Sequence, residues 1–236
     1  MPRWDFEMAF VAWLASLGGQ SWFFDRLAAQ TTNLLFRSIP SVVLLAGYWS
    51  AAQGSRQRVD PIRRRVLGGF MAAGLALLVS RVMQDLWVSH RPTEDPAFSG
   101  LFQVPFRNLV PDDLHTFPSD HAAFLLPLAW TLGSLQPWLG AAAGVLLVFM
   151  LCARVYMGFH YPTDILAGAM IGAAAVWMER RWPEVAGQAL GLVEKARARW
   201  PVTVAACLFL IAYCYASMFE SIRDLGNAVA GALWHP

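Results

Sequence analysis

Long apolar stretches separated by short polar segments run along most of the chain. They cover about residues 32–51, 66–87, 118–136, 139–157, 161–178 and 201–219. A helix of about 20 mostly apolar residues is long enough to cross the hydrocarbon core of a bilayer. The pattern therefore predicts an all-α fold, a polytopic membrane helix bundle with five to six transmembrane helices. We expect one membrane-embedded domain over residues 1–236, in which 201–219 is the last transmembrane helix.

The N-terminal segment 4–30 has a mixed pattern instead. Its apolar residues recur at helical spacing and polar residues such as Glu7, Gln20 and Asp25 interrupt them. Such a pattern is typical of an amphipathic helix that lies in the membrane interface, although a tilted transmembrane helix is an alternative. The acidic residues Asp5 and Glu7 break the basic start of a cleavable signal peptide, so none is predicted.

The composition agrees with a membrane protein. Of the 236 residues, 57% are hydrophobic and only 14% are charged, whereas soluble domains carry about 25% charged residues. The net charge of +2 is small and the basic residues form no stripe outside the loops, so no nucleic-acid partner is expected. Three cysteines, Cys152, Cys207 and Cys214, lie in apolar segments and are interpreted as small hydrophobic residues rather than disulfide partners.

The charge pattern predicts the orientation. One basic loop contains Arg56, Arg58, Arg63, Arg64 and Arg65, and a second basic stretch contains Lys195, Arg197 and Arg199. By the positive-inside rule both are cytoplasmic. The loop at 88–117, the start of the third span and the turn between spans four and five then share the extracytoplasmic side.

Three polar clusters fall on that side, namely Gln84–Pro92, Phe117–His121 and Ala153–Asp164. Each alone has a structural interpretation, as an interfacial anchor, a helix cap or a hydrogen-bonded histidine. Together they bring arginines, histidines and aspartates to one pocket. Arginines match the oxygen geometry of phosphate and histidines attack or protonate at neutral pH, so the set indicates phosphoryl chemistry. In the adjoining loop, Arg107, Asp112, Asp113 and His115 could bind a head group or be solvated, and solvation is favoured for both aspartates.

The spacing of these residues resembles a known family. Arg91-Pro92, Pro118-Ser119-x-His121 and Arg154-x5-His160-x3-Asp164 are similar to the three motifs of the type-2 phosphatidic acid phosphatase superfamily, over about residues 84–168. The topology resembles the membrane branch of that family. With Asp120 in the second motif, the chain is most similar to bacterial undecaprenyl-pyrophosphate phosphatases.

The resemblance implies a role for each matched residue. The implied catalytic residues are His160 as nucleophile, Asp164 as its orienting carboxylate and His121 as general acid. The implied substrate-binding residues are Arg91, Ser119, Arg154, Gln84 and Asp120, helped by backbone N–H groups near Pro118. No metal or other cofactor is expected.

The sequence departs from the family at three positions. Gln84 stands where the family usually has lysine, Asp120 replaces a glycine, and Ala153 replaces a serine. Arg81, one turn before Gln84, could supply the missing charge or pair with Asp85.

The resemblance implies an integral membrane lipid phosphatase in a bacterial inner membrane, with its site facing the periplasm or exterior. Its implied partners are a (pyro)phosphorylated lipid, with undecaprenyl pyrophosphate as the expected substrate, and membrane lipids. Three alternatives stay open. The first is a phosphatase for phosphatidylglycerophosphate, phosphatidate or lipid A, or a lipid phosphotransferase. The second is a non-catalytic lipid-binding or transport protein, and the third is a metal site of His115, His121, His160 and Asp164. The sequence leaves the oligomeric state open.

Overall fold

The computed structural model describes residues 4–50, 56–98, 100–102 and 115–218. Within these residues the chain is helical and contains no β-strand, so the predicted all-α class is confirmed. The α-helices are α1 (Asp5–Ser16), α2 (Trp22–Gln30), α3 (Leu34–Ser50), α4 (Arg56–Leu86), α5 (Asp120–Leu135), α6 (Pro137–Tyr156), α7 (Pro162–Arg181), α8 (Pro183–Arg199) and α9 (Pro201–Ala216). Two 3₁₀ turns, Pro92–Glu94 and Pro96–Phe98, follow α4.

Proline determines where the last four helices begin. Pro137, Pro162, Pro183 and Pro201 each occupy the first turn of a helix. Proline fits this position because the N–H that it lacks would have no partner within the helix, and its φ angle is already helical. A single residue therefore connects α5 to α6, α7 to α8 and α8 to α9.

Helix α5 lies at the centre of the bundle and packs against α4, α6 and α7. Its side chains Phe124, Leu125 and Leu128 are almost completely buried in the main apolar core. On α7, Gly168 and Gly172 face α5 so closely that a Cβ on either would strike the backbone oxygen of Ser119 or Ala123. Glycines four residues apart share one helix face and let two backbones approach. This contact holds the first turn of α5 against the beginning of α7.

Among the described residues, two helices are long and apolar enough to cross a membrane by length and composition, Asp60–Leu86 and Pro137–Tyr156. Two shorter helices, Leu34–Ser50 and Pro201–Tyr215, are also apolar. The count of five to six transmembrane helices therefore stays a prediction.

Several predicted boundaries differ from the structure. The N-terminal segment 4–30 forms two helices rather than one, because the chain turns between them at Gly19, whose φ of 79° favours glycine. At about 1.5 Å per residue, each of these two helices is too short to cross a bilayer core of about 30 Å. The predicted basic loop from Arg56 to Arg65 is the first part of α4 instead, since arginine is a good helix former.

Some predictions fall outside the described residues. The last predicted span, 201–219, corresponds to α9, which ends at Ala216, and residue 219 is not among the described residues. Arg107, Asp112 and Asp113 also lie outside them, so their predicted contact with a head group or with solvent stays a prediction.

Candidate active site

The connection between α6 and α7, residues 157–161, carries His160 and is called the His160 loop below. It turns at Gly158, whose φ of 75° is strained for other residues. The Gly158 carbonyl accepts a hydrogen bond from Thr93 N (3.2 Å), and Phe159 N donates to the Arg154 carbonyl (2.9 Å). These contacts tie the loop both to α6 and to the segment after α4. His160 is only 3% exposed.

The hydrogen bonds of His160 define its tautomer. Its Nδ1 lies 3.0 Å from the Thr116 carbonyl, which can only accept. Nδ1 therefore carries the proton, and the lone pair of the neutral ring is on Nε2. Burial, and secondly the positive charge of Arg91, holds the pKa of His160 well below its ordinary value of 6.5. The ring is therefore neutral at pH 7, with Nε2 able to form a bond.

Asp164 reaches His160 through Thr116 rather than directly. The carboxylate Oδ2 lies 3.9 Å from Nδ1, which is beyond hydrogen-bond distance. The Thr116 hydroxyl lies between them, 2.9 Å from Nδ1, and donates to Asp164 Oδ2 at 2.7 Å. Oδ2 also accepts from the backbone N–H of Tyr161 (2.9 Å). The three side chains form a buried relay from Asp164 to Thr116 to His160.

His121 has its own carboxylate. Its Nδ1 lies 2.7 Å from Asp120 Oδ1, and Asp120 Oδ2 lies 2.5 Å from Arg81 NH2. On the other side of the ring, Arg154 NH2 donates to His121 Nε2 at 2.6 Å. Asp120 thus orients His121, while Arg81 balances the charge of Asp120. The sequence suggested Asp85 as an ion-pair partner of Arg81, but in the structure Arg81 forms its ion pair with Asp120.

Four arginines surround the two histidines. Arg91 and Arg154 are each less than 5% exposed, and Arg91 NH1 donates to the Phe159 carbonyl (3.0 Å) beside His160. Arg37, on α3, is also buried and lies within electrostatic range of His121. Arg81 completes the set through Asp120. Such a concentration of guanidinium groups suits a multiply charged anion.

The other predicted substrate-binding residues differ in how they are engaged. Ser119 is fully buried, and among the described residues its hydroxyl has no hydrogen-bond partner. Gln84 instead donates to the Pro118 carbonyl (2.7 Å) and accepts from Arg81 (3.1 Å). The predicted backbone N–H site is partly occupied, because Ser119 N donates to the Asp164 carbonyl and His121 N to Asp120 Oδ1.

One group of side chains has the spacing of metal ligands. Within the described part of the chain, ligand atoms of Asp120, His121 and His160 lie within 4.8 Å of one another. This group differs from the metal alternative drawn from the sequence, because His115 and Asp164 do not belong to it. The guanidinium groups of Arg81 and Arg154 contact Asp120 and His121 directly. Positive charge so close opposes the binding of a cation.

Sequence reasoning missed two residues that build the site. Thr116 is completely buried and carries the relay, and the Ser89 hydroxyl accepts from Phe117 N (2.9 Å) to hold that segment. Both lie within or beside the polar clusters singled out from the sequence. Their hydroxyl groups, next to the predicted phosphate-binding motifs, could have indicated a role in the site. The sequence pattern alone does not distinguish a hydroxyl that positions another residue from one that caps a helix.

Comparison with known proteins gives a consistent result. The sequence model described as "PAP2 superfamily" matches residues 65–188, more than half of the 236 residues. The chain is 32% identical over 111 residues to an Escherichia coli (strain K12) protein named "Putative undecaprenyl-diphosphatase YbjG", covering 47% of this chain and 52% of that protein. It is 26% identical over 146 residues to "Bacitracin transport permease protein BcrC" of Bacillus licheniformis, covering 60% of this chain and 68% of that protein. The chain thus spans about half the length of the first of these relatives.

The fold also has a solved counterpart. A crystal structure described as the first transmembrane PAP2 type phosphatidylglycerolphosphate phosphatase, from Bacillus subtilis, superposes with a TM-score of 0.54 at 22% identity. The superposition covers 76% of this chain and 85% of that structure. At this identity the likeness shows a shared fold. Since the family model covers more than half of the sequence and includes every motif described above, the chain belongs to the PAP2 superfamily.

Proposed function

We propose that the protein is an integral membrane lipid phosphatase that removes a phosphate from a (pyro)phosphorylated lipid through a phosphohistidine intermediate. One observation carries this proposal: two buried histidines, each with Nδ1 held by an acceptor, lie within a shell of buried arginines. Fixing Nδ1 leaves Nε2 of each ring for chemistry. The arginines supply the positive charge that a phosphoryl transition state needs.

His160 is the proposed nucleophile. Its Nε2 attacks the terminal phosphorus, the N–P bond forms, and the P–O bond to the leaving lipid phosphate breaks. Nδ1 keeps its proton and donates a hydrogen bond to the Thr116 carbonyl. Asp164 stabilises the positive charge that develops on the His160 ring through the Thr116 hydroxyl. A carboxylate behind a histidine is the usual orienting arrangement in covalent catalysis. Thr116 and Asp164 are therefore positioning residues in this scheme.

His121 is the proposed general acid and base. It donates a proton from Nε2 to the leaving oxygen and then removes one from the water that hydrolyses the phosphohistidine. In the structure this Nε2 accepts from Arg154. We expect a bound phosphoryl group to attract the Arg154 guanidinium, after which Nε2 can carry the proton. Asp120 supports that protonated state from Nδ1.

Arg91, Arg154 and Ser119 are the proposed phosphate ligands. The Ser119 hydroxyl is buried with no hydrogen-bond partner in the described residues, and a phosphoryl oxygen would satisfy it. Gln84 and Asp120 act on the site indirectly, since Gln84 holds the Pro118 carbonyl and Asp120 holds His121. Because buried arginines oppose a cation here, the proposed reaction is independent of metal ions.

Undecaprenyl diphosphate is the proposed substrate, hydrolysed at the extracytoplasmic face of a bacterial inner membrane. The name of the Escherichia coli relative supports this choice, and so does a site with three buried arginines, Arg37, Arg91 and Arg154, for a diphosphate. The predicted orientation, with basic segments on the opposite side, supports the extracytoplasmic placement. Phosphatidylglycerophosphate, phosphatidate, lipid A and phosphotransfer to a second lipid are alternatives with the same chemistry. Because one relative is named a transport permease, a transport role is the alternative of another class.

A substrate panel tests the proposal. Purified protein in detergent with EDTA is given undecaprenyl diphosphate, phosphatidylglycerophosphate, phosphatidate or lipid A, and released phosphate is measured. We expect the diphosphate to be turned over fastest, vanadate to inhibit, and His160→Ala to abolish turnover. His90→Ala is the matched control, because the His90 side chain is 70% exposed beside the same site. Activity that requires added divalent metal, or no release from any substrate, would contradict the proposal.

A further inference from the structure

Helices α1 and α2, called the N-terminal clamp below, cover the outside of the His160 loop. From α1, Val11 and Ala15 pack in one apolar cluster with Val155 and Tyr161. From α2, Ala28 packs in another cluster with residues of the loop itself, Met157 and Phe159. The clamp lies outside residues 65–188, which match the family model. Its contacts therefore add to the site a part that the family motifs do not contain.

A buried acid on α1 holds one end of the loop. Glu7 is only 4% exposed, and its Oε1 accepts from Thr163 N (2.8 Å) and from the Thr163 hydroxyl (2.6 Å). Thr163 lies in the first turn of α7, immediately before Asp164. A carboxylate is stabilised at a helix N-terminus because free N–H groups and the helix dipole favour negative charge there. Glu7 thereby fixes the turn from which Asp164 orients His160.

A second acid, on α2, holds the other end. Asp25 Oδ1 accepts from the Tyr156 hydroxyl at 2.5 Å and from Gly19 N at 3.3 Å. Tyr156 is the last residue of α6, directly before the His160 loop. The Gly19 contact also ties α2 to the turn that follows α1. Each helix of the clamp thus contributes one carboxylate that is hydrogen-bonded next to one end of the five-residue loop.

We propose that the N-terminal clamp is a positioning device for the His160 loop and that Glu7 and Asp25 are its positioning residues. The inference rests on the proposed function, because it treats His160 as the nucleophile. A loop of five residues that turns at a glycine gains its rigidity from such outside contacts. A shift of about 1 Å in a reacting group can lower the rate about a hundredfold.

Glu7 variants test the inference. The full chain in detergent is assayed as wild type, Glu7→Ala, Glu7→Gln and Asp5→Asn, the last being an exposed acid on the same helix. We expect Glu7→Ala to lower kcat about tenfold or more with little change in KM, since positioning affects the chemical step. Glu7→Gln keeps an acceptor oxygen for Thr163 and should recover most of the activity. Asp5→Asn should behave as wild type.

Hydrogen exchange gives a readout that needs no substrate. In Glu7→Ala, amides of residues 157–165 should exchange faster than in wild type, while those of α5 should not change. Tyr156→Phe, which removes the donor to Asp25, tests the other end of the loop in the same two assays and serves if Glu7→Ala does not fold. If the wild-type protein releases no phosphate, the proposed function is wrong. The exchange rates alone then show whether the N-terminal clamp holds the His160 loop in place. Wild-type kcat, or unchanged exchange, in both Glu7→Ala and Tyr156→Phe overturns the inference.

Discussion

Replacing Thr116 by valine removes one buried hydroxyl and puts a methyl group of similar size in its place. The side chain is completely buried, so water does not take over the lost hydrogen bonds. Asp164 Oδ2 loses the donor at 2.7 Å and keeps the Tyr161 N–H at 2.9 Å. The Thr116 carbonyl, which accepts from His160 Nδ1, is unaffected by the substitution. The change therefore interrupts the relay between Asp164 and His160 and leaves the tautomer of His160 as it is.

The expected loss follows from the charge of Asp164. A hydrogen bond to a charged group contributes about 1.5–3 kcal/mol, which corresponds to about tenfold to a hundredfold in rate if the contact supports the transition state. We expect kcat/KM of Thr116→Val to fall by that factor when phosphate release from undecaprenyl diphosphate is measured. Thr116→Ser is the matched control, because it keeps the hydroxyl and should retain most of the activity.

A second substitution separates the relay from a general loss of structure. If Thr116 acts through Asp164, then Asp164→Asn should lower kcat/KM much less in the Thr116→Val background than in wild type. The reason is that the effects of substitutions in residues that act as one unit are not additive. The result that would refute the relay is a Thr116→Val enzyme within about twofold of wild type, or full additivity of the two substitutions. Thermal unfolding of each variant shows whether the protein is folded at the assay temperature.

Two further predictions concern stability and the second histidine. Because the pKa of His160 is held well below 6.5 in the folded protein, the unfolded state binds the additional proton as the pH falls below about 6.5, and unfolding becomes easier by up to about 1.4 kcal/mol per pH unit. The temperature of thermal unfolding should therefore fall more steeply between pH 7 and 5 for wild type than for His160→Asn. Equal slopes for the two proteins would contradict the lowered pKa of His160. Asp120→Asn should lower kcat about tenfold or more, since it removes the carboxylate that supports the general acid. In a protein that already carries Arg81→Gln, Asp120→Asn should lower kcat by a smaller factor. Asp85 is an exposed acid next to Gln84, so Asp85→Asn is the control. An equal loss of kcat in Asp85→Asn would contradict the proposed role of Asp120.

Much of the candidate site could be predicted from local sequence. The positions of Arg91, Ser119, His121, Arg154, His160 and Asp164 follow from motif spacing, and the structure brings them to one end of the helix bundle. Each motif lies at a helix end, where proline and a polar residue mark the boundary, so local sequence is enough to locate it. The all-α class follows in the same way from apolar stretches too long for strands.

The path of charge and hydrogen bonds within the site required the tertiary structure. Asp164 and His160 are four residues apart, which suggests a direct contact, but the carboxylate is 3.9 Å away and Thr116, from a different segment, fills the gap. Asp120 was expected at the substrate, and the fold pairs it with Arg81 from α4. These partners are separated by about 40 residues, and no local pattern indicates which polar group will satisfy another.

The sequence by itself determined the helical class and the positions of the motifs, because helix periodicity, proline at helix starts and motif spacing are local properties of the chain, and the resemblance of those motifs to the family indicated the proposed chemistry. Only the tertiary structure decided how those residues are held. Close packing of α7 on α5 at Gly168, the relay through Thr116 and the grip of Glu7 on Thr163 all join distant segments. The physical reason is that a buried polar group must find a hydrogen-bond partner, and its partner is chosen by the packing of helices in space.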